Sequence, residues 1–313
     1  MNFDNTGIKK NRKKKVIGYL SNNNDWHHII HEIRVNNFLD GFSSNYNCKV
    51  NKYYTEYEET DYIVIHGWIK DNQPGEYREY LIESHDDLDT IIVLENSWLY
   101  HNTVERVSRD ATIRNKIPNT SVGFGGLGGC ANYNNSNSLS DRFDALGIEF
   151  KKSNWRINDK ILIMSQLPGD AHLYKVDFQT WVSNTYKELR LHTDRPIYFR
   201  PHPEGMDDAT KIPAGCKLSD SNIKIYDELE TCYAVVTYNS NSVMECVLSG
   251  VPVFAFDKQS VAYDLSYQDL SQIENLTDYD EQDRLQWAYN LAYSQWTDDE
   301  LKQGLPHKHL GLI

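Results

Sequence analysis

The sequence predicts an α/β protein of two β/α halves, each a mainly parallel sheet covered by helices. Three observations predict it. Short runs of branched apolar residues, such as Val16–Leu20, Asp61–Gly67, Thr90–Glu95, Lys160–Ser165 and Tyr233–Thr237, recur along the chain. They are apolar continuously rather than alternately, which is the pattern of strands buried on both faces. Helically spaced stretches separate them, and the rhythm stops at a glycine-dense middle and then restarts.

In order, Val16–Leu20 is a strand that runs into an Asn/Asp-rich turn, Ser21 to Asp25. A helix from Trp26 to about Phe42 follows, with Ile29, Ile30, Ile33, Val35 and Phe38 as its apolar side. Asp61–Gly67 is the next strand, Arg78–Ser84 a helix and Thr90–Glu95 a third strand. Ser121–Gly129 is glycine-dense and Asn132–Ser140 polar, a pair that predicts a flexible loop leading to a domain junction. After a short helix at Asp141–Leu146, the second half gives strands at Lys160–Ser165, Pro196–Arg200, Tyr233–Thr237 and Val251–Ala255. Helices are predicted at Phe178–Leu191 and Ser242–Ser249. Asp283 to about Leu301, carrying Trp287, Tyr289, Tyr293 and Trp296, reads as a C-terminal helix docked on the body. The hinge falls near residue 155, dividing the chain into 1–155 and 156–313.

With 313 residues, 40% hydrophobic and 25% charged, the chain suits a globular protein of one large or two ordinary cores. No run of about 18 apolar residues is present, and Met1–Lys15 lacks the apolar core of a signal peptide, so a cytoplasmic location is expected. The cysteines, Cys48, Cys130, Cys216, Cys232 and Cys246, are dispersed with no C-x-x-C pair, which reads as reduced thiols and not as a zinc site. A net charge of −13 argues against a general nucleic-acid coat. The cluster Lys9, Lys10, Arg12, Lys13, Lys14 and Lys15 is the exception. It reads as a solvated leader or as a phosphate contact for a polyanionic acceptor.

Three polar loops in the second half follow predicted strands, where open α/β sheets bind ligands. In the first, Tyr238, Asn239, Ser240, Asn241 and Ser242 lead into a helix whose N–H groups can hold a phosphate, with Glu245 one turn in and able to bridge a ribose diol. The same residues also make an ordinary helix cap. In the second, Pro201 and Pro203 clamp His202 beside Arg200, and both side chains suit phosphate. The third places Gln166, Gly169 and Asp170 after a strand, where the glycine allows close ligand approach.

Together these residues carry a resemblance. The spacing from Glu245 to Gly250 and Pro252-Val253 resembles the donor-site signature of GT-B glycosyltransferases. With Gln166-x-Pro168-Gly169-Asp170, Arg200-Pro201-His202-Pro203, the Val236–Ser242 run, Gln286–Tyr289 and Gln295–Thr297, the set is similar to phage-encoded glycosyltransferases, some acting on hydroxymethylated bases of phage DNA. Arg200–Pro203 is also similar to capsule and teichoic-acid transferases. The resemblance covers Lys160 to about Leu310; in the first half it rests on Glu95 and the Gly123–Gly129 loop.

The resemblance implies two Rossmann-like domains facing each other across a cleft. The first would bind an acceptor, a hydroxymethylated pyrimidine in DNA above all, with Lys9–Lys15 on its backbone. The second would bind a nucleotide sugar, a UDP-sugar foremost. No cofactor beyond the donor is implied: no Asp-x-Asp occurs, and Arg200, His202 and the Ser240–Ser242 turn would neutralise the leaving phosphate. Glu95 is the first candidate for general base, ahead of His66 and Asp170. Trp68 and Trp98 are candidates to stack on the acceptor, and Gly125 and Gly126 to let it approach. A surface-glycan transferase, a sugar-nucleotide epimerase and a non-catalytic nucleotide-sugar binder are the alternatives. The sugar, the stereochemistry and the oligomeric state stay open.

Overall fold

The computed structural model describes residues 12–21, 26–99, 119–167, 169–202, 212–220 and 222–313. Lys9, Lys10, Pro168 and Pro203 lie outside the described residues.

Two sheets carry the fold, as the sequence predicts. The first has the order β2 (Tyr46–Lys52), β1 (Lys14–Leu20), β3 (Tyr62–His66), β4 (Ile91–Asn96), β5 (Asn119–Phe124), β11 (Gln295–Thr297). Its first four strands are parallel, while β5 runs antiparallel to both neighbours. The second is wholly parallel, in the order β8 (Lys217–Leu218), β7 (Ile197–Arg200), β6 (Lys160–Met164), β9 (Cys232–Thr237), β10 (Val253–Ala255). Each order reverses once, between β1 and β3 and between β6 and β9. In open α/β sheets the crevice beyond the strand C-termini at such a reversal is where ligands bind.

The strands recognised from sequence are those buried on both faces; the interior residues of β3, β4, β6 and β9 are nearly all inaccessible. β2, with the sequence YNCKVNK, escapes that reading because it is an edge strand with mostly exposed side chains. Its lysines also discourage further edge pairing.

The glycine-dense segment is corrected in part. Residues 121–124 form β5, not a loop. A Cβ on Gly123 would come within 2.6 Å of the Tyr133 ring, so this glycine serves close packing rather than flexibility.

Helix α1 (Trp26–Asp40) forms where expected and turns only part of its expected apolar side inward. Val35, Phe38 and Leu39 are buried, whereas Ile29 and Ile33 are 40% and 46% exposed. Arg34 and Asn37 take inward positions instead. α2 (Gln73–Ser84) starts at an Asn72 cap.

α3 (Asp141–Ala145), α4 (Phe178–His192), α5 (Ile225–Leu229) and α6 (Val243–Ser249) complete the body. α6 ends at Gly250, whose φ of +76° suits glycine and where a Cβ would strike the Arg284 guanidinium at 2.3 Å.

The expected C-terminal helix is two helices and a strand, and a further helix lies beyond it. α7 (Glu281–Ala292) stops, β11 joins the first sheet beside β5, and α8 (Asp298–Lys302) and α9 (Leu305–His309) follow. His307 of α9 stacks on Phe38 of α1 with centroids 4.1 Å apart. A segment from beyond residue 156 thus completes the sheet of the first half. The Gln295 amide fixes the crossing: its Oε1 accepts the Leu99 N–H at 3.0 Å and its Nε2 donates to the Leu99 carbonyl at 2.7 Å.

Candidate functional site

At the reversal of the second sheet, β6 delivers Gln166 and β9 delivers Asn239, 4% and 3% exposed. Gln166 Oε1 accepts the backbone N–H of Asn239 at 2.7 Å. Asn239 Nδ2 in turn donates to Asp257 Oδ2 at 2.8 Å. Asp257 was missed from the sequence; it follows the β10 run as Asn239 follows β9, and that parallel was the available signal. The carbonyl of Tyr238 accepts the N–H groups of Phe256 and Asp257, and its half-buried ring packs edge-on to Trp181 at 5.7 Å.

The turn into α6 is internally bonded. The Ser240 N–H reaches Thr237 Oγ1 at 2.9 Å, and the Ser242 N–H reaches Ser240 Oγ at 3.3 Å. Ser242 is the N-cap residue without a side-chain cap bond, Asn241 is exposed, and Glu245 is buried in the first turn of α6.

Arg200 departs from its expected role. Its guanidinium is 8% exposed and ion-paired with the fully buried Glu228. It also donates to the carbonyls of Asp220 at 3.3 Å and Ile223 at 2.6 Å. Glu228 is held as well by Ser219 and by Lys160 at 2.5 Å. A guanidinium so committed braces β6, β7 and α5 and is not presented to a phosphate. His202, two residues further on, is half-buried.

Gly169 has a φ of +75° and open space where a Cβ would stand. Asp170 beside it accepts both the N–H and Nδ1 of His172, each at 3.1 Å. Burial pushes the Asp170 carboxyl up, but the bonds from His172 and the charge of Lys70 outweigh it and hold the group below its ordinary value. Lys70 belongs to the first half, so this carboxylate stands where the halves meet. Tyr174 Oη to Glu79 at 2.9 Å and the Gly129 N–H to the Gln259 carbonyl at 2.8 Å close the same junction. His172, buried and oriented by Asp170, was also missed; its spacing of two from an acid carried no periodic signal.

In the first half, His66 and Glu95 end β3 and β4. His66 is 2% exposed and stacks on His31 with centroids 3.7 Å apart. Burial, with the charges of His31 and Arg34, pushes its imidazole well below the ordinary value, so it is neutral at neutral pH. Its Nε2 lies 3.2 Å from Nη1 of Arg34. A guanidinium only donates, so Nε2 is the occupied acceptor and cannot take a substrate proton. His66 is thereby corrected as a base. Glu95 is half-buried, and its Oε1 accepts the Asn96 N–H at 2.8 Å.

Trp68 is half-buried near the end of β3, and its carbonyl accepts from Arg78 Nε at 2.6 Å. Trp98 is 3% exposed and packs edge-on to Tyr133 at 5.5 Å; it is core, with no ring face for a ligand. Gly125 and Gly126 approach Leu88 and Cys130 of their own half, and it is Gly128 and Gly129 that meet Gln259 across the junction.

The described part of the basic leader lies at the start of β1, the opposite end of the sheet from the cleft. Seven residues of strand make that about 20 Å. Arg12 pairs with Asp61 at 3.0 Å and Lys15 with Glu58 at 2.7 Å, ion pairs at the surface of this end of the sheet. Among the described residues, no group of three or more His, Cys, Asp or Glu is placed to hold a metal ion, and no helix is long and apolar enough to cross a membrane.

No protein-family model matches this chain, and no curated protein matches it in sequence. Among solved structures it is similar to the KpsC β-Kdo 2,4-transferase of Thermosulfurimonas dismutans, with a TM-score of 0.55 and 13% identity over 92% of this chain and 93% of that one. The KpsC β-Kdo 2,7-transferase of the same organism gives 0.51 and 13%, over 94% and 99%. A UDP-GlcNAc 2-epimerase from Neisseria meningitidis aligns at only 0.31 and 9%, over 95% and 100%. At these identities the likeness is one of fold, two Rossmann-like domains across a cleft.

Proposed function

We propose that this chain is a glycosyltransferase that moves a sugar from a nucleotide-activated donor, UDP-linked in the first instance, to an acceptor hydroxyl. One observation carries the reading. The strand C-termini of both sheets open on one junction, where Lys70 of the first half bears on the Asp170 carboxylate of the second. A donor bound at the β6–β9 reversal and an acceptor bound at the β1–β3 reversal would meet there.

The nucleotide lies over Gln166, Gly169, Tyr238, Asn239 and Ser240–Ser242, with Glu245 toward the ribose and His202 toward the diphosphate. Hydrogen-bond donors fixed before the reaction stabilise charge on the leaving phosphate without reorganising. Asp170, ionised and oriented by His172, is the best placed of the three candidate bases. Glu95 stands second, on the acceptor side.

The acceptor we favour is a saccharide, in line with the Kdo transferases that share this fold. Support for a hydroxymethylated DNA base is thinner, since Arg12 and Lys15 are ion-paired at the far end of the sheet.

The test is incubation of the full chain with labelled nucleotide sugars and, in separate arms, saccharide acceptors, hydroxymethylated duplex DNA or no acceptor. Label on a saccharide supports the reading, and label on DNA moves the acceptor assignment back to the base. Isomerised sugar without any acceptor selects the epimerase and overturns the transferase.

A further inference from the structure

At the C-terminal ends of β3 and β4 the first half buries a guanidinium and an imidazole side by side. Arg34 and His66 are 4% and 2% exposed, in a chain whose net charge is −13. Nη1 of Arg34 joins them to the sheet, reaching His66 Nε2 at 3.2 Å and Asn96 Oδ1 at 2.7 Å. His31 stacks on the far face of the His66 ring.

The guanidinium fixes the tautomer. Because Nε2 accepts, the single proton of the neutral imidazole sits on Nδ1. Among the described residues, this buried Nδ1 has no hydrogen-bond partner. A buried donor left without an acceptor is unfavourable, and it calls for a partner the fold does not supply, such as a water, an ion or a ligand. Among the described residues, the charges that most lower the His66 imidazole are those of His31, Arg34, Arg78 and Lys70. The Glu95 carboxylate on the next strand gives Oε1 to the Asn96 N–H, and its Oε2 lies beside Gly67 near the Arg78 guanidinium. α1 turns Arg34 inward at the very place where its isoleucines turn out.

We propose that this cluster is a subsite for an anionic group on the acceptor, a carboxylate or a phosphate attached to the saccharide. It rests on the transferase reading and deepens it. An oxygen of such a group accepts the Nδ1 proton of His66 and lies in the field of Arg34 and Lys70, so an ionised acceptor is held and a neutral one is not. The same contact points the acceptor toward the junction that holds Asp170.

The test is calorimetric titration of the full chain with three probes: methyl glucuronide, methyl glucoside 6-phosphate and methyl glucoside. UDP binding is measured alongside. The result expected is that an anionic probe binds at least about tenfold more tightly than the neutral one. The carboxylate and phosphate arms show which group the subsite takes. Arg34→Gln and His66→Phe remove the preference while UDP still binds, which shows that the variants are folded; should Arg34→Gln fail to fold, His66→Phe decides alone. Equal binding of all three probes to the parent protein, or a preference that survives in His66→Phe, overturns the subsite whatever UDP does. A preference for the anion in a protein that does not bind UDP keeps the subsite and places the failure in the donor side of the transferase reading instead.

Discussion

Gln166 Oε1 accepts the backbone N–H of Asn239 at 2.7 Å, tying the end of β6 to the end of β9 at the point where the second sheet reverses its order. Both residues are buried, so the bond sets the shape of the crevice floor as well as adding stability. Gln166→Leu strands the Asn239 N–H and is expected to cost about 1–3 kcal/mol in urea unfolding. It is also expected to weaken nucleotide binding, read by calorimetry. A protein with unchanged stability and unchanged affinity would show that this bond does not shape the crevice.

Arg200 and Glu228 form a buried pair inside the second half. Removing Arg200 leaves Glu228 with Lys160 as its remaining counter-charge, so the expected loss falls short of the about 3–5 kcal/mol of a buried charge stripped of every partner. Arg200→Met is therefore expected to lower the denaturation midpoint, while nucleotide affinity of the fraction that stays folded is unchanged. The opposite pattern, normal stability with lost affinity, restores the phosphate-binding role suggested by its place in the Arg-Pro-His-Pro element.

His307 is fully buried against Phe38, and burial pushes its imidazole down to about 4 from 6.5, weakly opposed by the Phe38 carbonyl. Its folded value lies below the unfolded one, so the unfolded chain takes up the proton first as pH falls. Stability is intact above 6.5 and is lost progressively down to about 4, by about 3 kcal/mol in all. In His307→Leu that part of the acid dependence should vanish from unfolding curves taken between those limits. An unchanged slope refutes the assignment.

Asp170 is held ionised by His172 at the junction of the halves. On the proposed mechanism, Asp170→Asn abolishes transfer, falling at least about a hundredfold as general bases do, and leaves UDP affinity within a factor of about three. Glu95→Gln is expected to act mainly on the acceptor KM. Normal turnover in Asp170→Asn with none in Glu95→Gln would exchange the two roles.

Much of the architecture is legible from local sequence. β1, β3, β4, β6 and β9 announce themselves because a strand covered on both faces must be apolar throughout. β2 does not, because one edge of a sheet faces water and tolerates Lys49 and Asn51. β5 does not either, because Gly123 stands in the strand to make room for Tyr133, and a glycine run reads locally as a loop.

The polar loops after β6, β7 and β9 could likewise be placed at strand ends from sequence, and so could the residue types suited to a nucleotide. What each side chain does there was settled elsewhere in the chain. Arg200 and His202 are two residues apart, yet only the fold shows Arg200 committed to Glu228, 28 positions on. His66 looks like a base until Arg34, brought in from another element, occupies its Nε2. Gln295 leaves the second half to clamp Leu99, 196 positions back. Periodicity records which residues must avoid water, because burial of an element repeats along it. Hydrogen-bond partners between distant segments leave no such repeat, since they depend on how the chain folds back on itself, and only the tertiary structure decides them.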